Sequence, residues 1–271
     1  MRFIAFEGAH QVAAWSAEYI IDAINTVAPT AQRPFVLGLP TGSTPLATYQ
    51  RLIQAYQAHR ISFEHVVTFN MDEYAGLAKT SPDSYWYFMQ HHFFDHIDIN
   101  PQNTHRLDGG SLDPTSECVD FEAKIQELGG VDLFLGGIGS DGHIAFNEPG
   151  TSLHSRTRLC RLSERTRMDN ARFFADHIAR VPTHALSVGI ETIMAAKTVV
   201  ILATGSHKAN AISDAIEGSI NHLSPISYLQ LHRDSIIVSD IDACQELKVK
   251  TLKHFQHIER AEIAKFNHLE E

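Results

Sequence analysis

Phe35-Val36-Leu37-Gly38-Leu39-Pro40-Thr41-Gly42-Ser43-Thr44-Pro45 is a short apolar run that breaks into glycine and hydroxyl side chains. The pattern recurs twice. Residues 199–203 lead into Thr204-Gly205-Ser206, and residues 131–135 lead into Gly136-Gly137-Ile138-Gly139-Ser140-Asp141-Gly142-His143. Short apolar runs bounded by turn residues read as buried strands. Three such strands, each ending in a small polar loop, put one ligand site at the carboxyl edge of a parallel sheet, where open α/β folds bind their ligands. Small hydroxyl-bearing loops suit a polar anion, so the pattern points to an enzyme acting on a small phosphorylated metabolite.

Working outward, apolar runs predict strands over residues 2–6, 35–39, 66–70, 131–135, 185–188, 199–203 and 235–238. Longer amphipathic stretches predict helices over 12–25, 45–58, 85–94, 118–128, 208–216 and 247–258. The alternation implies an α/β fold, a Rossmann-like open and mostly parallel sheet flanked by helices. No Pro/Gly/Ser-rich linker divides residues 1–271, which read as a single domain.

With 44% hydrophobic and 20% charged residues the chain can bury a substantial core. Its formal net charge of −10 argues against a nucleic-acid partner, since counterion release needs a basic surface. No run approaches the ~18 apolar residues of a membrane span, and the apolar start is too short for a signal sequence. Cys118, Cys160 and Cys244 are odd in number and form no CxxC pair, which predicts free thiols in a cytoplasmic protein.

The first loop offers Thr44 as a helix N-cap and Pro45 as the first helical residue, so the free N–H groups of that helix would face the strand end. Gly42 would admit an anion to the backbone, and Ser43 and Thr44 would donate hydroxyls. The Thr204 loop adds Lys208 at a helix start, expected on a neighbouring strand. The GxxxxGK[ST] spacing is missing, which excludes a Walker-type nucleotide site. Asp72 and Glu73 follow the strand over 66–70. They could bind metal, act as a base, or cap and pair; adjacent residues diverge, so one of them should face the site. Residues 139–149 gather Asp141, His143 and Glu148, and a histidine held between carboxylates has a fixed tautomer and moves protons near neutral pH. D-x-H-x4-E is not the zinc pattern HExxH, and no metal is expected. His91, His92 and His96 read as packing residues. Residues 161–184 carry Arg161, Arg165, Arg167, Arg172 and Arg180. They form either a surface helical excursion or a lid closing over an anionic ligand.

The stretches PFVLGLPTGSTP, VVTFNMDEY, GGIGSDGHIAFNEPG, SRTR and ELKVKTLKHF run through nearly the whole chain. In order and spacing they resemble the glucosamine-6-phosphate deaminase family, whose superfamily includes 6-phosphogluconolactonases and sugar-binding repressor domains. The resemblance implies conversion of glucosamine 6-phosphate and water to fructose 6-phosphate and ammonia, without cofactor or metal. It assigns Asp72 as the base moving a proton between C2 and C1, and His143, supported by Asp141 and Glu148, as the group opening the sugar ring. It gives the phosphate to Gly42, Ser43, Thr44, Lys208 and Arg172, the last from a lid at about 161–184. Ser43 replaces a glycine common in relatives, which ordinary backbone angles would tolerate. A lactonase would not need Asp72 or the FNEP continuation, and a non-catalytic sensor would not need the intact catalytic set.

The resemblance further implies a homohexamer with an effector site for N-acetylglucosamine 6-phosphate between subunits. At the matching positions stand Thr151, Arg158, Cys160 and His254, with cysteine for a lysine and histidine for a tyrosine. A thiol cannot supply the lysine's charged bond, so weak or absent activation is expected unless Arg161 reaches into the gap.

Overall fold

In the computed structural model, which describes residues 1–269, ten strands and nine helices are assigned among the described residues. The strands are β1 (Arg2–Phe6), β2 (Phe35–Leu39), β3 (Val66–Asn70), β4 (Asp72–Tyr74), β5 (Thr104–His105), β6 (Leu133–Gly137), β7 (Arg158–Arg161), β8 (His184–Ser187), β9 (Thr198–Ala203) and β10 (Ser235–Asp240). The helices are α1 (Ala9–Val27), α2 (Ser43–Gln57), α3 (Tyr85–His92), α4 (Pro114–Glu127), α5 (Glu164–Asn170), α6 (Ile190–Met194), α7 (Ala209–Ile216), α8 (Val249–Ile258) and α9 (Arg260–Ala264).

Seven strands form a parallel sheet in the order β1-β10-β9-β6-β2-β3-β5. Strand side chains alternate between its faces. Ile4 and Phe6 pack with α1, α2 and α3, whereas Phe3 and Ala5 pack with α4 and α7. Both faces are covered, which is why these strands read as continuous apolar runs. A three-stranded antiparallel sheet, β4-β8-β7, extends from the end of β3. Among the described residues no helix is long and apolar enough to cross a membrane.

The parallel sheet follows the sequence expectation, with three corrections. Residues 185–188, expected in the large sheet, pair instead with Asp72–Tyr74 and Arg158–Arg161, two partners without an apolar pattern to announce them. The seventh parallel strand is the two-residue β5. The strand expected over 131–135 lies at Leu133–Gly137, because β9 offers Ile201 and Leu202 as ladder partners to Gly136 and Gly137. Helix α2 begins at Ser43 with Gly42 as its N-cap at φ 106°, so Thr44 is not the cap and Pro45 is the third helical residue. Pro45 still fits, since the first turn needs no N–H there. Ser43 has helical geometry and carries its Cβ without strain.

Candidate active site

The chemistry-bearing loops follow four consecutive strands. β9 ends before Thr204–Lys208, β6 before the His143 loop, β2 before Gly42–Thr44, and β3 before Asp72. The two Thr-Gly-Ser loops are therefore not on adjacent strands: β6 lies between them and brings His143 to the centre. The winding of the sheet reverses between β2 and β6, the switch point where open α/β sheets form a crevice. A cavity of about 560 Å³ opens there, lined by residues of all four loops together with Tyr85 and Phe146.

Asp72 and Glu73 divide as expected. Glu73 accepts the backbone N–H groups of Tyr74 (2.8 Å), Tyr85 (3.0 Å) and Trp86 (2.9 Å), which caps α3. Asp72 lines the cavity and is 8% exposed. Burial, and secondarily the charge of Glu73, raises its carboxyl to about 8. A carboxyl so tuned can both take and return a proton near neutral pH.

The His143 ring lies across Gly139, where an added Cβ would come within 2.1 Å of it, so only glycine fits beneath the imidazole. Its Nδ1 lies 2.6 Å from Asp141 Oδ1. Burial pushes the Asp141 carboxyl up, but the hydrogen bond from His143 and the field of its imidazole outweigh this and hold it at about 2. Asp141 is thus an anion that keeps a proton on Nδ1 and leaves Nε2 available.

Glu148 departs from its expected place. Its carboxylate accepts the Ser163 N–H (3.1 Å to each oxygen), the Ser163 hydroxyl (2.9 Å) and the Thr166 hydroxyl. It makes no hydrogen bond to His143. The free N–H groups and hydroxyls at the start of α5 draw the carboxylate to themselves, so Glu148 fastens the 161–184 segment.

That segment is α5 followed by 3-10 turns at Ala171–Phe174 and Ile178–Arg180. Phe174 is buried against Tyr74, edge to face at 5.3 Å, and Arg167 donates to the carbonyls of Ile178 and Val181. Arg165 reaches Ser140 Oγ in the His143 loop at 3.2 Å. Arg172 stacks on Phe173 at 4.7 Å and enters the cavity wall with Lys208, Gly42, Ser43 and Thr44. Burial and the nearby Arg172 charge lower the Lys208 ammonium below its ordinary value. All five phosphate candidates share one cavity.

The effector candidates divide. Thr151 Oγ donates to the Glu148 carbonyl at 2.7 Å, and Arg158 reaches Asn147 Oδ1 at 2.9 Å and Thr151 Oγ at 3.5 Å. Cys160 is buried among Tyr74, Phe146 and Phe174. Arg161 alternates to the other face of β7 and lines a separate hollow with Glu164, Arg167 and His184. The gap left by Cys160 is therefore not filled by Arg161. His254 is exposed on α8, which packs on β1, the far edge of the large sheet.

The sequence reading gave no role to Tyr85, Asp169 or His207 and set His92 aside, yet all four line the cavity. His207 lies directly between the Thr204-Gly205-Ser206 turn and Lys208, so its place in the chain does signal it. Asp169 and Tyr85 carried no local signal.

A family model described as glucosamine-6-phosphate isomerases/6-phosphogluconolactonase matches residues 7–238. The glucosamine-6-phosphate deaminase of Tolumonas auensis is 56% identical over 266 residues, covering 98% of this chain and all of that one. That of Proteus mirabilis is 54% identical over 262 residues, covering 97% and 98%. Among solved structures, a monomeric glucosamine-6-phosphate deaminase superposes with a TM-score of 0.87 at 39% identity, covering 91% of this chain and all of its own. A 6-phosphogluconolactonase from Trypanosoma brucei, at 20% identity and TM-score 0.70 over 91% of this chain, shares the fold. By sequence and by architecture alike, the chain belongs to the glucosamine-6-phosphate isomerase/6-phosphogluconolactonase family, on its deaminase branch.

Proposed function

We infer that this protein converts glucosamine 6-phosphate and water to fructose 6-phosphate and ammonia. The observation that carries the reading is the placing of Asp72 and His143 in one cavity whose wall also holds Lys208 and Arg172. The phosphate would sit between Lys208, Arg172 and the start of α2, leaving the sugar to extend toward Asp72. His143 Nε2 takes the proton from O1 and delivers one to O5, which opens the ring. Asp72 then takes the C2 proton while O1 takes one from the substrate's C2 ammonium group, forming an enolamine, and Asp72 returns its proton to C1. C1 becomes an alcohol and C2 an iminium. Water adds at C2 and ammonia leaves, giving the ketone. Asp141 holds the imidazole tautomer through the 2.6 Å contact, and Glu148 acts by holding the lid. An assay of ammonia release from glucosamine 6-phosphate tests the reading. Hydrolysis of 6-phosphogluconolactone without ammonia release would overturn it.

The same reading extends to a cytoplasmic homohexamer with weak or absent activation by N-acetylglucosamine 6-phosphate. The free thiols of Cys118, Cys160 and Cys244 favour a reducing compartment. Arg158 lies on β7 of the small sheet with Thr151 beside it, whereas His254 lies on α8 against β1, so an effector site using both ends would draw on a second subunit. The relative at 39% identity is a monomer, which makes light scattering the deciding measurement for assembly.

A further inference from the structure

The cavity corner assigned to the phosphate holds a titratable group that the mechanism above does not use. His207 belongs to the 3-10 turn Ser206–Lys208 after β9, and its ring forms part of the cavity wall beside Lys208 and Arg172. A Cβ on Gly205 would stand 3.0 Å from Nδ1 and 3.1 Å from Cε1 of the ring, so the imidazole lies folded down onto the loop backbone. Gly205 has φ 87°, a conformation in which any other residue would be strained and would also press on the ring. No hydrogen bond to another described residue occupies either ring nitrogen.

Charges face this imidazole from four directions: Lys208 on its own turn, Arg172 from the lid, Asp169 from α5, and Asp240 at the end of β10. Asp240 is committed behind the loop, accepting the N–H groups of Gly205 (3.0 and 2.9 Å) and Ala243 (2.9 Å). Asp169 lines the cavity and supplies negative charge to Lys208 and His207 alike. Burial first, then Lys208 and Arg172, disfavours the imidazolium, and the two aspartates offset this only in part. A phosphate dianion entering the corner reverses the balance, because it neutralises the two cations and offers oxygens to an imidazole N–H.

We propose that His207 is a phosphate ligand of this site alongside Lys208 and Arg172, neutral in the free enzyme and protonated when the dianion binds. The inference rests on placing the phosphate in this corner. Its consequence is that binding draws a proton from solvent. Affinity for the dianion is then greatest below the free imidazole's titration, falls as pH rises toward the titration of the bound form, and is flat above it. The site thereby prefers a dianion to a monoanion of the same shape.

The test is calorimetric titration with glucitol 6-phosphate, an open-chain sugar phosphate that has no carbonyl and cannot isomerise. At pH ~7.5 the probe is mostly dianionic, since its second ionisation lies near 6. Running the titration in two buffers of different ionisation enthalpy gives the protons taken up per ligand. Wild type is expected to take up a fraction of a proton more than His207→Gln and to bind several-fold more tightly. Equal proton uptake and equal affinity in the two proteins would overturn the proposal. Lys208→Ala separates the two levels of the argument. If it weakens binding while His207→Gln is silent, His207 alone is misassigned. If Lys208→Ala binds as wild type, the phosphate is not in this corner, and both this inference and the phosphate placement beneath it fail.

Discussion

Glu148 and Ser163 are joined through the backbone N–H and the hydroxyl of Ser163, with both carboxylate oxygens engaged. The carboxylate of the His143-loop motif thus fastens the 161–184 segment. Glu148→Ala should free the start of α5 and raise KM more than it lowers kcat. Hydrogen exchange over residues 163–167 should accelerate in the variant. Unchanged exchange there with a large fall in kcat would return Glu148 to a direct role beside His143.

Asp72→Asn removes the proton carrier and should lower kcat by at least ~10²–10⁴-fold with little change in binding. The specific readout is exchange of the C2 or C1 proton with deuterium from solvent. Exchange at the wild-type rate in the variant would refute the assignment.

The same residue makes a prediction about stability. The folded-state carboxyl titrates at about 8, above its ordinary value of 3.8, so the native state holds a proton that the unfolded chain releases. Its contribution is present in full below the unfolded value and is lost as pH rises toward about 8. Asp72→Asn should raise Tm at pH ~9 by at least a few degrees, an advantage that shrinks toward pH ~4. Parallel Tm curves for the two proteins across that range would contradict the buried-carboxyl account.

Arg172→Ala removes one charged contact worth roughly 1.5–3 kcal/mol, which should raise KM about tenfold or more. Sugar phosphate should also protect residues 161–184 from proteolysis in wild type and less so in the variant. Cleavage indifferent to saturating ligand would show that the segment does not close on substrate.

Cys160 is buried and Arg161 lies on the opposite face of β7, so neither supplies a lysine's charge at the proposed effector position. Losing one charge-assisted bond is comparable to a whole coupling energy of ~1–3 kcal/mol. Substrate saturation should be nearly hyperbolic, and micromolar N-acetylglucosamine 6-phosphate should leave it so. A sigmoidal curve that the effector makes hyperbolic would show a working switch.

What the sequence by itself determined is what short-range patterning encodes. Apolar runs such as Phe35–Leu39 and Val66–Asn70 can only be buried on both faces, and the Gly and hydroxyl residues that end them can only be turns. Those two facts located the parallel sheet, its carboxyl edge and the loops that carry Asp72, Asp141 and His143. The tertiary structure decided what depends on partners distant in the chain. Residues 184–187 left the large sheet because Asp72–Tyr74 and Arg158–Arg161 were the edges they met. Glu148 turned to Ser163 because a helix start lay within reach of its carboxylate. Asp169 and His207 joined the site because α5 folds back over the β9 loop, bringing together charges that sequence separation had kept apart. Periodicity constrains which face a residue presents, and only packing decides what that face meets.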